Sequence, residues 1–162
     1  MSHQPIPPAS EHVWLRKLVG NWTYEHPLPM PDGTTKVFAG VETFRAIGEY
    51  WVQGEAQGPG MDGGQSVSLM TLGFDPKKGR FVGSWVGSMM PIIWVYDGAL
   101  DPGGKILRLY ADGPAFDGSD RTETYMDVIE FLDDDHRTLA GHTKNAEGVW
   151  TPFMTGHYRR KK

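Results

Sequence analysis

Side chains able to take part in chemistry are thinly spread along this 162-residue chain. It holds 6 His and 0 Cys, so thiolate catalysis, iron–sulfur clusters, disulfides and cysteine-ligated zinc are excluded, and a metal would need imidazole and carboxylate ligands. No His-x-His or His-Glu-x-x-His spacing occurs, so no metal site is expected. His3, His12 and His26 fall in a tail, a helix and a Pro-flanked strand end, where exposure is the expectation. His142 and His157 fall in the last two strands and become neighbours if those strands form a hairpin. Ser84 and Ser88 lie in Gly83-Ser-Trp-Val-Gly-Ser88. This is no nucleophile elbow, because Trp85 stands where Gly-x-Ser-x-Gly needs its serine. Asp75, Asp97 and Asp101 sit beside Gly or Pro at strand ends, where Asx hydrogen bonds in turns explain them better than acid–base work. Asp133, Asp134 and Asp135 read as a solvated hairpin tip, and without flanking helices they make no calcium loop. No catalytic residue is assigned, and an enzyme is the less favoured reading.

The aromatic side chains are the stronger functional signal: 7 Phe, 6 Tyr and 6 Trp exceed what a solvated, disordered chain carries. Phe81 and Trp85 alternate onto one strand face, Trp94 and Tyr96 onto a face of the next strand, and Met89-Met90-Pro91 links the two. Such side chains either fill a small barrel or line a cavity for one ligand. Met89 and Met90 add adaptable surface. Gly83 and Gly87, on the Trp85 face, remove side-chain volume and are expected to open that space. Arg108 alternates with Leu107 and Leu109; facing inward it would bind an anionic head group, and facing outward it is a solvated surface residue.

The elements that hold these residues must be mostly strands, because 21 Gly and 12 Pro interrupt the chain too often for many helices. Ala9–Val19 is the exception. Ser10 can cap it, Glu11 lies in its first turn, Arg16 and Lys17 lie late and Gly20 stops it; Trp14 and Leu18 then share a face. Ser119–Ala140 could be drawn as a helix, but Thr, Tyr, Val, Ile and Phe favour a strand over 121–132. The remaining strands are expected at 22–26, 36–47, 50–57, 65–74, 80–88, 92–100, 105–111, 138–144 and 150–159, about ten in all. Asp75-Pro-Lys-Lys-Gly79, Asp101-Pro-Gly-Gly104 and Asn145-Ala-Glu-Gly148 suit tight hairpins, so neighbours should pair antiparallel. Short links favour closure into a barrel over a sandwich.

Charge narrows the partners. Lys plus Arg number 16 against 20 Asp plus Glu, and no basic run is longer than the terminal Arg159 to Lys162, which argues against nucleic acid. No apolar stretch approaches the roughly 20 residues of a membrane helix, and the first ten residues do not resemble a signal peptide, so a cytoplasmic protein with no membrane partner is expected.

Gly20-Asn21-Trp22, just after the helix, resembles the Gly-x-Trp of lipocalin-like proteins of the calycin superfamily. That resemblance implies a late arginine packed over the Trp22 ring at the barrel base, carried over here to Arg159; such a contact is worth about 0.5–2 kcal/mol. A longer resemblance runs from Leu15-Arg-Lys-Leu-Val-Gly-Asn-Trp22 through Leu72-Gly-Phe-Asp75, Phe81-Val-Gly-Ser-Trp-Val-Gly-Ser-Met-Met90 and Trp94-Val-Tyr-Asp-Gly98 to Tyr158-Arg159. It is to the bacterial family catalogued as domain of unknown function 1579, and implies a lipocalin-like barrel without implying an activity. Haem-binding barrels of the nitrobindin type are similar in architecture and use a wall histidine near the C-terminus, which the resemblance carries over to His157.

The expected fold is therefore all-β: a closed antiparallel up-and-down barrel of about ten strands with a short N-terminal helix. Residues 1–9 are expected as a flexible Pro-rich tail and 10–162 as one barrel domain. The expected function is non-covalent binding of a small apolar or amphipathic ligand at Phe81, Trp85, Met89, Met90, Trp94, Tyr96, Arg108 and His157, with Trp22 and Arg159 closing the base. The alternatives are an enzyme using the same cavity, a haem-binding barrel and a protein–protein interaction module. No other cofactor is expected, and a homodimer stays open.

Overall fold

Apolar spacing at Trp14, Leu15 and Leu18 makes the N-terminal segment a plug. The computed structural model describes residues 6–162, so residues 1–5 of the expected tail, His3 among them, lie outside the described residues. Helix α1 (Ser10–Leu15) runs into a 3-10 turn over Arg16–Leu18. Ser10 does not cap it. Instead His12 Nδ1 accepts the Ala9 N–H at 2.9 Å, while His12 Nε2 donates to the Phe74 carbonyl at 2.8 Å. These two bonds explain why His12, expected at the surface, is buried.

Ten strands follow: β1 (Gly20–Pro29), β2 (Thr35–Ile47), β3 (Trp51–Pro59), β4 (Gln65–Asp75), β5 (Arg80–Gly87), β6 (Trp94–Leu100), β7 (Ile106–Pro114), β8 (Thr122–Asp133), β9 (His136–Lys144) and β10 (Trp150–Arg160). Each pairs antiparallel with the next, and β1 pairs with β10 to close the barrel. The segment drawn either way is strand β8. Turn chemistry is as expected: Gly79 takes a positive φ and its N–H reaches the Asp75 carbonyl at 2.8 Å. Asp75 Oδ1 accepts the Lys77 N–H at 2.9 Å, and Asp101 Oδ1 accepts the Lys105 and Ile106 N–H groups at 2.9 Å. Asp97 departs from that pattern; it stands on the outer face of β6 and pairs with Arg80 at 2.8 Å.

Alternation sends Trp22, Tyr24 and His26 of β1 inward, with Phe38, Glu42 and Phe44 of β2 and Tyr125, Asp127, Ile129 and Phe131 of β8. The lower end, under α1, is closed by Trp14, Leu15, Leu18, Phe44, Val52, Leu72, Phe81, Leu107 and Phe131, all buried. Each such side chain contributes about 1.5–3 kcal/mol through burial. Trp14 is pinned at both ends, its ring edge-on to Phe131 (5.6 Å between centroids) and its Nε1–H donating to the Gly104 carbonyl at 2.7 Å. Inward glycines are filled rather than open. A Cβ at Gly40 or Gly58 would overlap Tyr24, at Gly54 Phe44, at Gly113 Trp94 and at Gly156 the His26 ring. The same holds where an opening was expected: a Cβ at Gly83 would meet the Thr71 carbonyl and Leu72, and at Gly87 Trp85 and Met89.

Candidate functional site

The base of the barrel interior is built on charge. Trp22 is fully buried, its Nε1–H donates to the Leu18 carbonyl at 2.8 Å, and two guanidinium groups lie over its ring, Arg137 at 4.4 Å and Arg160 at 4.3 Å. The expected arginine, Arg159, is not one of them. Arg160 is opposite Trp22 and shares its face, which puts Arg159, opposite Thr23, on the outside and exposed. Arg160 is fixed by bonds to the carbonyls of Val19, Lys17 and Asp134 at 2.8, 3.0 and 3.0 Å. Arg137, only 1% exposed, donates to Glu42 at 2.5 Å and also lies 4.2 Å from the Tyr158 ring. Burial pushes the Glu42 carboxyl up, and Arg137 opposes that shift.

Above this pair lies a polar floor. Tyr158 O–H bonds His26 Nε2 at 2.9 Å, and Tyr24 lies 5.5 Å from the Tyr158 ring and 5.1 Å from His26. Desolvation, with His157 nearby, lowers His26 to about 4, so the imidazole is neutral at pH 7. Burial and the carboxylate of Glu42 raise Tyr24, and the same causes carry Tyr158 well above its ordinary value. Tyr96 donates to Asp127 Oδ2 at 2.5 Å. Burial lifts both groups, and the neighbouring carboxylate lifts Tyr96 further.

The upper wall is aromatic. Trp85 and Trp94 are direct cross-strand partners, so the register through Ser88–Ile93 keeps both on the inner face. Trp94 is edge-on to Tyr125 at 5.1 Å, faces Phe116 at 6.2 Å and donates its Nε1–H to Met90 sulfur at 3.2 Å. Tyr125 is fixed by donating to the Pro114 carbonyl at 2.6 Å. Six inward residues, Tyr24, Ala56, Ser68, Trp85, Asp127 and Leu139, are only half-buried, which marks accessible space between the floor and the upper rim. Two surface clefts lie elsewhere, one beside Asn21, Thr43 and Lys161, the other beside Ile93, Asp120 and Arg121.

Of the residues singled out from the sequence, the barrel thus brings together Trp85, Met90, Trp94 and Tyr96. It separates the others. Phe81 is in the base, against Trp14 and Phe74. Met89 is exposed in the β5–β6 loop. Arg108 faces outward, opposite Ala99 and Val128, because Leu107 and Leu109 take the inner positions. His157 also faces outward: Tyr158 holds the inner position, and His157 Nδ1 meets His136 Nε2 at 2.9 Å. An imidazole at that position does not fit a haem inside the barrel. Tyr24, His26, Glu42, Asp127, Arg137 and Tyr158 were not foreseen. The signal was the two-residue alternation from Trp22 and Tyr125, which places Tyr24, His26 and Asp127 on the aromatic face.

Architecture and interior together define a lipocalin-like barrel. The chain belongs to the family described as "Protein of unknown function (DUF1579)", whose profile matches residues 7–160. No curated protein matches the sequence. Among solved structures, Rv2717c from M. tuberculosis is similar at 13% identity and a TM-score of 0.64, over 96% of this chain and 99% of that one. The S-type phycobiliprotein lyase CPES from Guillardia theta is similar at 12% identity and a TM-score of 0.52, over 96% of this chain and 94% of that one. At these identities the likeness is one of fold. Among the described residues, no helix is long and apolar enough to cross a membrane.

Proposed function

We propose that this barrel binds, without covalent chemistry, a small and mainly apolar ligand in the upper half of its interior. The observation that carries this reading is the set of inward-facing residues left half-buried, Trp85, Leu139, Ala56, Ser68, Tyr24 and Asp127, above a base that is sealed. Trp85, Trp94, Tyr125 and Met90 supply the apolar wall, and the Tyr96–Asp127 and His26–Tyr158 pairs supply polar anchors. A pocket with a predominantly apolar lining and a few convergent polar groups is what small-ligand sites usually present. The barrel named a phycobiliprotein lyase is compatible with use of this fold around a small molecule and adds no specificity.

The test is binding of two neutral probes, 2-phenylethanol and 1-octanol, followed by isothermal titration and tryptophan fluorescence. Saturable binding of at least one, weakened in Trp85→Leu while the far-ultraviolet circular dichroism is unchanged, is expected. Native mass spectrometry of the freshly purified protein checks for a co-purified mass. If neither probe nor any charged analogue of it binds below about 1 mM, equivalent to roughly -4 kcal/mol, the reading fails.

A further inference from the structure

We propose that the ligand is an organic cation, an amine or ammonium group on an apolar body, with Asp127 as its counter-ion and Trp85, Trp94, Tyr96 and Tyr125 as its aromatic enclosure. This rests on the ligand-binding reading above and adds the chemical class. The charged groups that face the interior are not equally available. Arg137 is 1% exposed and Glu42 7%; they are bonded to each other, and the guanidinium is covered by Trp22, Tyr158 and Phe44. Neither can reach a ligand. Arg160 is spent on backbone carbonyls at the base. Asp127 differs. It remains half-buried, Tyr96 engages only its Oδ2, and among the described residues no cation pairs with it. His142, a group able to carry positive charge that acts on Asp127, is on the outer face of the adjacent strand, where its ring contacts the Met126 carbonyl at 3.3 Å. At the rim, Lys36 lies over the Phe38 ring and Glu123 is paired with Arg121.

The available interior charge is thus a single carboxylate without a counter-ion. Its surroundings are aromatic: Tyr125 precedes Asp127 by two residues on β8, and Trp94 precedes its hydrogen-bond partner Tyr96 by two on β6, so alternation puts all four on one face. Aromatic faces attract cations and are indifferent to neutral heads, while a carboxylate left partly desolvated without a partner is unfavourable until one arrives. Burial already raises the Asp127 carboxyl, the direction a cation would reverse. An anionic head group would meet like charge and no available guanidinium.

The experiment compares head groups on fixed tails: 2-phenylethylamine, 2-phenylethanol and 3-phenylpropanoate, then octylamine, 1-octanol and nonanoate, by isothermal titration at pH 7. The amine is expected to bind at least tenfold more tightly than the alcohol in whichever series fits the space, and the carboxylate most weakly. Asp127→Asn, which keeps an acceptor for the Tyr96 O–H, should abolish the preference for amine over alcohol. If alcohol or carboxylate binds as tightly as amine in the parent protein, the cation assignment fails and the ligand-binding reading stands. Binding by the amine that Asp127→Asn leaves unchanged also overturns it. If no member of either series binds below about 1 mM, both fall together.

Discussion

Removing one partner of the Glu42–Arg137 pair should not be equivalent to removing the other, because only one of the charges left behind can be neutralised. Glu42→Gln strands a guanidinium that is 1% exposed, and an arginine side chain keeps its charge at any working pH. Breaking a buried pair in this way costs about 3–5 kcal/mol. Arg137→Met leaves Glu42 with burial pushing its carboxyl upward and without the guanidinium that opposes that shift. Its folded pKa then lies above its unfolded value of about 4.3, so the stability it permits is greatest below that value and is lost as pH rises toward the folded pKa. Each pH unit between the unfolded and the folded pKa is worth about 1.36 kcal/mol. The assay is urea denaturation of parent and both variants at pH 7 and pH 5. Comparing each variant with the parent at the same pH cancels titration of groups they share. Arg137→Met should recover stability between pH 7 and pH 5, by at most about 2.7 kcal/mol, and Glu42→Gln none. An Arg137→Met deficit that is the same at both pH values would refute the buried, singly partnered carboxyl.

His26, lowered to about 4 from 6.5, is neutral in the folded protein, whereas the unfolded chain takes up a proton below pH 6.5. Stability should therefore fall as pH drops from about 6.5 to 4, by roughly 3 kcal/mol in total. In urea melts His26→Phe should flatten this slope, and an unaltered slope counts against the assignment. At the base, Trp22→Ala should cost about 3–5 kcal/mol. Arg160→Ala should cost about 1–2 kcal/mol for its contact with the ring and the carbonyls it satisfies, while Arg159→Ala stays within about 0.5; the reverse order in thermal melts would contradict the register of β1 on β10. Gly156→Ala sets a methyl into the His26 ring and should cost about 1–3 kcal/mol, with the largest perturbation of nuclear magnetic resonance shifts at His26 and Tyr158.

The architecture was legible because turns carry it. Asp75 to Gly79 and Asp101 to Gly104 announce hairpins through residue types that only those backbone shapes need, and ten strands joined by short links have little alternative to closure. Faces were harder, since they depend on parity, and an error of one residue moves a side chain through the wall. Arg159 and Arg160 show the cost. Both are late arginines, and only the pairing of Trp22 with Arg160 decides which one covers the indole. His157 fell to the same rule. Arg137 was hidden for another reason: starting β9 at Thr138 left it in the turn, and its partner Glu42 is 95 residues away, beyond any local pattern. Polar residues at alternate strand positions ordinarily mark the solvent face, so a polar interior is invisible until the barrel closes around it.

Along the barrel axis the two kinds of polar group then have opposite roles. Those at the base, Glu42, Arg137 and Arg160, are bonded to one another, to carbonyls or to ring faces, and a perturbation there registers as stability. Asp127 lies higher, with one oxygen held by Tyr96 and the residue half-buried. Leaving a polar group partly unsatisfied in an interior costs stability and persists where a function uses it. The base makes that tolerable: Trp22 clamped between two guanidinium groups, and the α1 plug beneath it, hold the strands in register independently of what occupies the upper half. Substitutions at Asp127 or Trp85 should accordingly separate binding from folding, whereas those at Glu42 or Trp22 cannot. That separation is what allows the head-group series to be read as recognition and not as damage to the fold.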